Sequence, residues 1–283
     1  MSKLLIAVDS GHGMDTAGKR TPALLEQWGD KKKGSIIHEK EFNKPAAEYL
    51  IQALERCGFK TLNVSPGTTD VSLKDRYTAA NDAKADAFIS KHYNAYKGVW
   101  GSANGVETII SQYANSSTTQ LANYVQDELV KTHKRTNRGV KTDIKQSGIN
   151  IAVLRNATMP AILTESGFMD NLEEAKTMID PVFQKADAEA TCKGVCKFFE
   201  VTYIEEKKPP TKSITKESSK KDIIWLQERL NKDFKDKWPI KVNGIYDNNT
   251  RIAVLILWES LGWNKDGSAD GWRAGQSTIK KLS

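Results

Sequence analysis

Cysteine is scarce in this chain of 283 residues: there are three, at positions 57, 192 and 196. Three thiols make no disulfide framework. Cys192 and Cys196 are four residues apart, which puts both on one face of a helix, where a buried apolar role is expected ahead of a metal or redox one. Long apolar runs are missing as well, and no stretch approaches the roughly 20 residues of a membrane helix. The opening, MSKLLIAVDSGHG, has one lysine and a short apolar run before it turns polar. It has neither the length of a signal h-region nor a small-residue cleavage site, so synthesis without a Sec signal is expected and KLLIAVD reads as a first strand. Histidine is rare too, with four in all.

What is present describes an ordinary globular chain. Hydrophobic residues make up 39%, which excludes a disordered protein, and the length suits one large domain plus a small one. The net charge is +7, and the segment from Tyr203 onward carries 16 Lys and Arg against 11 Asp and Glu, so most of the excess lies in the last third. That bias suits an anionic partner (nucleic acid, membrane or a teichoic-acid-bearing wall) or, equally, a solvated linker with surface lysines. No nucleic-acid motif accompanies it.

The composition shifts at EEKKPPTKSITKESSKK, residues 205–221, where paired prolines and charges replace apolar residues. It reads as a semi-rigid linker. The expected division is 1–203 for a first domain, 204–220 for the linker and 221–283 for a second. Before the linker, apolar runs predict strands at 4–9, 59–64, 87–90, 105–110, 151–154 and 161–164. Helical stretches lie between them. NKPAAEYLIQALERCG is expected to start at Asn43 as N-cap, SLKDRYTAAND at the Ser72–Asp75 pair, and DPVFQKADAEATCKGVCKFFE at Asp180 with Pro181 in the first position. SSTTQLANYVQDELVKTH puts Leu121, Tyr124, Val125 and Leu129 on one face. The alternation predicts an α/β domain with a twisted, mostly parallel sheet flanked by helices. After the linker, KDIIWLQERLN, a helix entered at Asn248–Thr250 and a short last helix, joined by glycine turns, predict a small all-α unit of about 60 residues.

Open α/β sheets bind ligands beyond the carboxyl ends of their strands. Three such ends carry chemistry here: DSGHG with His12, KHYNA with His92, and TESGF with Glu165. HEKEFN, before the first long helix, adds His38, Glu39 and Glu41. Two neutral imidazoles and one carboxylate with an open fourth position make a catalytic zinc set. A second carboxylate then serves as general base and acid. The same residues also read as polar loop positions, and Glu39 and Glu41 as first-turn helix acids.

The ordered series DSGHG, HEKEFN, L-x-x-R-x-x-x-A-N, FISKHYNA, GVE and PAILTESGFMDN resembles the type 3 zinc family of N-acetylmuramoyl-L-alanine amidases, from about residue 4 to residue 199. The resemblance implies His12, Glu39 and His92 as zinc ligands and Glu165 as the catalytic residue. It implies Zn2+ as cofactor and peptidoglycan as substrate, cut between the lactyl group of N-acetylmuramic acid and L-alanine. Ser10, Lys91 and Ser65 depart from the family pattern. The last unit is similar to the peptidoglycan-binding three-helix domain through WLQERLN, VNGIYDNNT and DGSADGWRAGQSTIKKL. Together these imply a phage or prophage endolysin, or a sporulation autolysin of the same activity, made in the bacterial cytoplasm and acting on the wall after release. A wall-binding protein with a degenerate site is the rival of another class, and no implied ligand is missing. His133 is expected at a helix end without a chemical role, Arg76 and Asn81 as structural supports, and Lys91 on the sheet face opposite His92. Trp225 and Trp258 are expected in the core of the last unit, and Trp263 and Trp272 towards glycan.

Overall fold

Short apolar runs become the strands of a six-stranded sheet in the structure, a computed structural model that describes residues 3–234, 238–264, 267 and 269–283. The chain divides into two units, Met1–Ile204 and Glu205–Ser283. In the first, the strands are β1 (Leu5–Ser10), β2 (Lys60–Asn63), β3 (Ala87–Asn94), β4 (Val106–Ile110), β5 (Asn137–Thr142) and β6 (Ala161–Phe168). Their spatial order is β2-β1-β3-β6-β4-β5. All neighbours pair parallel except β4 with β6, which run antiparallel. The mixed α/β class and its mostly parallel sheet are as the alternating pattern implies.

Helices α1 (Lys40–Arg56), α2 (Leu73–Asp82), α3 (Ser116–His133), α4 (Asp143–Ser147), α5 (Ala152–Arg155), α6 (Leu172–Lys176) and α7 (Pro181–Phe198) complete this unit. Ser72 caps α2 by accepting from the Asp75 N–H, and Asp180 caps α7 by accepting from Val182 with Pro181 behind it. α1 starts earlier than its sequence suggests. Glu39 holds the N-cap position, and Asn43 lies inside the first turn, fully buried. Residues 151–154 are not a strand: Ala152–Arg155 is a helical turn, and the sixth strand is instead Asn137–Thr142.

The main core lies between the sheet and helices α1, α3 and α7. Ile6, Val8, Leu50, Leu54, Ile89, Leu121, Val125, Leu129, Ile162 and Val195 are fully buried there. Gly194 lets α7 approach α3, because a Cβ at that position would fall 2.6 Å from the Val125 Cα. A second apolar layer, with Ala7, Phe88, Ile109 and Leu163, covers the other sheet face.

The second unit holds α8 (Lys220–Phe234), α9 (Asn248–Ser260) and α10 (Gln276–Leu282) around its own core of Trp225, Leu226, Leu230, Val254, Leu257 and Ile279. Ile214, within the stretch read as a linker, is fully buried in that core and pairs with Ala274 across a short bridge. Part of the expected Gly/Asp turn, at 266 and 268, lies outside the described residues. No helix among the described residues is long and apolar enough to cross a membrane.

Candidate metal centre

β3 and β6 do not end where their apolar runs end. Pairing carries on through His92, which sits in register with Glu165, and Glu165 is in turn opposite Glu107 on β4. Register partners point to the same sheet face. His92, Glu165 and Glu107 therefore form a polar row across three adjacent strands. Both His92 and Glu165 lie on strands, not in the loops beyond them, because the ladder itself is continued by these polar residues.

His12 reaches the same place from the turn after β1. It is one of four non-glycine residues with positive φ among the described residues, at 57°, a left-handed conformation that costs energy away from glycine and gathers at functional sites. Its ring lies edge-on to that of His92, with centroids 4.8 Å apart. Glu39, at the head of α1, lies between the two: its Oε2 is 3.4 Å from His12 Nε2 and its Oε1 3.0 Å from His92 Nδ1. One donor atom from each of His12, Glu39 and His92 falls within 4.8 Å of the others. Glu39 Oε1 is held further by the Tyr93 backbone N–H and the Asn43 side-chain amide, each donating at 3.0 Å. The Asn43 amide also donates to the Gly11 carbonyl.

The electrostatics suit a cation. Burial pushes the Glu39 carboxyl up, but the attraction of His12 and the hydrogen bond to His92 override it, and it is held well below the usual range. Burial chiefly lowers His12 to about 4, leaving a neutral imidazole at pH 7. Glu165 moves the other way. Burial first, then the Glu39 and Glu107 carboxylates, raise it well above the usual range. Its Oε2 is buried with no hydrogen-bond partner.

The support beneath is equally polar. Arg76 is buried and donates to Asp9 at the end of β1, to Asp70 and to the Val71 carbonyl. Asn81 holds the 156–158 segment through Asn156 and Thr158. Lys40 donates to the Ser10 carbonyl and hydroxyl, and burial, then Arg76, lowers it to about 8. Glu41 stays apart from His12 and His92, accepting from the His38 backbone N–H and from Lys31. His38 also stays outside the grouping. Sequence reasoning passed over Asn43 as a support of Glu39 and Glu107 as a neighbour of Glu165. The GVE motif marks the second, and the four-residue spacing from Glu39 marks the first. Asn94, left open by the sequence, donates to Glu107, which also pairs with Arg138 and Lys141.

On this mixed α/β sheet two imidazoles and a carboxylate converge beside a buried glutamate, a group that could hold a metal ion. The family model of N-acetylmuramoyl-L-alanine amidase matches residues 6–197, and the chain belongs to this family of hydrolases. The endolysin of Bacillus phage SPP1 is 33% identical over 232 residues, covering 81% of this chain and 78% of that protein. The sporulation-specific N-acetylmuramoyl-L-alanine amidase of Bacillus subtilis is 33% identical over 192 residues, covering 67% and 66%. The crystal structure of an N-acetylmuramoyl-L-alanine amidase from Clostridium difficile 630 aligns with a TM-score of 0.60 at 31% identity, covering 70% of this chain and 97% of that one.

Proposed function

We propose that this chain is a zinc-dependent amidase that cleaves peptidoglycan between the lactyl group of N-acetylmuramic acid and L-alanine. His12, Glu39 and His92 hold the metal, and Glu165 is the catalytic acid and base. The observation that carries the reading is the convergence of those three donors beside a buried carboxyl with an unpartnered oxygen. Zinc bound there supplies a Lewis acid and a water of lowered pKa.

The chain's own groups do the rest. Tyr93 N–H and Asn43 fix the Glu39 carboxylate, and so fix both imidazoles against it. Glu165 Oε2 takes a proton from the attacking water and returns it to the L-alanine nitrogen as the amide bond breaks. Its environment favours the protonated state it needs for the second transfer. Glu107 maintains that environment, itself held by Asn94, Arg138 and Lys141.

The biological setting we favour is a phage or prophage endolysin ahead of a sporulation autolysin. The 81% coverage with the phage relative exceeds the length of the first unit and so extends into the second. In this reading the second unit, Glu205–Ser283, binds the wall through its helical stretch 221–283, with teichoic acid as a further anionic contact.

Glu165→Ala is expected to keep zinc at the wild-type stoichiometry and to slow release of new amino termini from purified walls by about 10²–10⁴-fold. His92→Ala should lose both metal and release. Mass spectrometry of the products should find a free lactyl carboxylate with an intact stem peptide. Wild-type rates in Glu165→Ala, or cuts inside the peptide, would remove this reading.

A further inference from the structure

All three cysteines of the chain meet at one point, Cys57 far in sequence from the other two and none of them used by the site above. Cys57 closes the C-terminal end of α1, and Cys192 and Cys196 lie one turn apart on α7. Their burial is nearly complete. Cys192 Sγ lies 3.8 Å from Cys57 Sγ and 3.9 Å from Cys196 Sγ, and one donor atom from each of the three falls within 4.8 Å of the others.

The geometry points to a second metal site, in which Cys57, Cys192 and Cys196 bind a thiophilic d10 cation such as zinc. A tetrahedral ion with metal–sulfur bonds of about 2.3 Å holds its sulfurs about 3.8 Å apart, the spacing Cys192 already has to both Cys57 and Cys196. Plain apolar packing accounts for buried cysteines one at a time, but it gives no reason for a polar donor to serve them. Such a donor is present: the Ile204 backbone N–H donates to Cys57 Sγ at 3.3 Å, the kind of outer contact that steadies a ligating thiolate. The Ile204 carbonyl oxygen, 3.9 Å from the same sulfur, accepts from the Cys57 thiol in the metal-free chain. Arg56, whose Nε donates to that carbonyl at 2.8 Å and whose Nη2 pairs with Glu189, steadies the Ile204 backbone beside the sulfurs.

Binding replaces the proton on each ligating thiol with a sulfur–metal bond and releases those protons to solvent; no oxidant or reductant takes part. The site fastens α1, α7 and Ile204, the last residue of the first unit, to one another. It lies apart from the His12, Glu39 and His92 grouping and serves stability rather than turnover.

The test is a titration of the full chain, reduced and freed of metal, with Cd2+, following the ultraviolet sulfur-to-cadmium charge-transfer band. Imidazole and carboxylate donors give no such band, so the amidase centre is silent in it. The band should saturate at about one equivalent per chain, be displaced by Zn2+, persist in His92→Ala and vanish in Cys192→Ser. Cys57→Ser, at the helix end, is a second variant, with circular dichroism to show that each folds. A folded wild-type chain with no band overturns the proposal. So does a band unchanged in both serine variants, or a resting Cys57–Cys192 disulfide found by mass spectrometry in place of metal binding.

Discussion

A methyl group at position 11 would sit 2.1 Å from the His92 ring. Gly11 thus marks how closely the turn after β1 passes over the second imidazole. Gly11→Ala is expected to leave the sheet intact, displace His92 and lower zinc affinity by more than about tenfold, read by competition with a chelator. Unchanged affinity with an unchanged melting temperature would contradict the close approach. The same turn explains two departures from the family pattern. Ser10 donates its backbone N–H to Ser65 Oγ, and the two hydroxyls are 3.1 Å apart. A proline at position 10 has no N–H to give, so the two serines compensate each other. At this scale the sequence revealed the histidines and acids, since they are few and interrupt apolar runs. It hid Asn43, whose type suits a helix cap as well as a buried clamp, because its role depends on where the Gly11 carbonyl falls.

Strand alternation decides what surrounds the site from below. His92 faces the donors, so Lys91 must face the helices, and it does, fully buried with its Nζ 2.6 Å from Asp187 Oδ2 on α7. His133, expected only to suit a helix end, donates from Nε2 at 3.0 Å to the other oxygen of Asp187. Burial alone would raise Asp187, but Lys91 and His133 together hold it well below the usual range. A carboxyl depressed on folding adds stability that is complete above its unfolded pKa, about 3.9, and is lost as pH falls through the folded value. Acidification below about pH 4 should therefore weaken the wild type, and Asp187→Asn should flatten that decline. At neutral pH Asp187→Asn leaves a buried lysine unpaired and is expected to cost about 3–5 kcal/mol in denaturant unfolding. The Lys91→Met, Asp187→Leu pair should recover most of it; a double variant as weak as the single one would speak against this account. Two elements were hard to read for related reasons. IAVL is too short for periodicity to separate strand from helix, and NRGVKT, the edge strand β5, lacks an apolar run because it is only half buried.

Two separate cores make two separate tasks testable. The first unit carries the hydrolase motifs, and the helical character of the second was legible from its apolar periodicity and glycine turns. The roles of its tryptophans were less so, since aromatic content alone does not distinguish core from contact surface. Trp225 is buried, and Trp258 packs on the core with its Nε1 donating to Thr278. Trp272, expected near glycan, also packs on that core, with the Lys216 Nζ 3.5 Å from its ring centroid and Arg251 on it as well. Trp263 is different, with 47% of its surface exposed. An exposed tryptophan beside a glycine turn is a ready platform for an apolar sugar face, and aromatic anchors of this kind carry a large share of binding energy. Trp263→Ala is expected to leave melting and turnover on soluble muropeptides unchanged while sedimentation with purified walls falls more than about tenfold. Trp272→Ala should instead lower the melting temperature of the second unit, because it strips packing from the core. Full wall sedimentation by a folded Trp263→Ala chain would remove Trp263 from the proposed wall-binding surface.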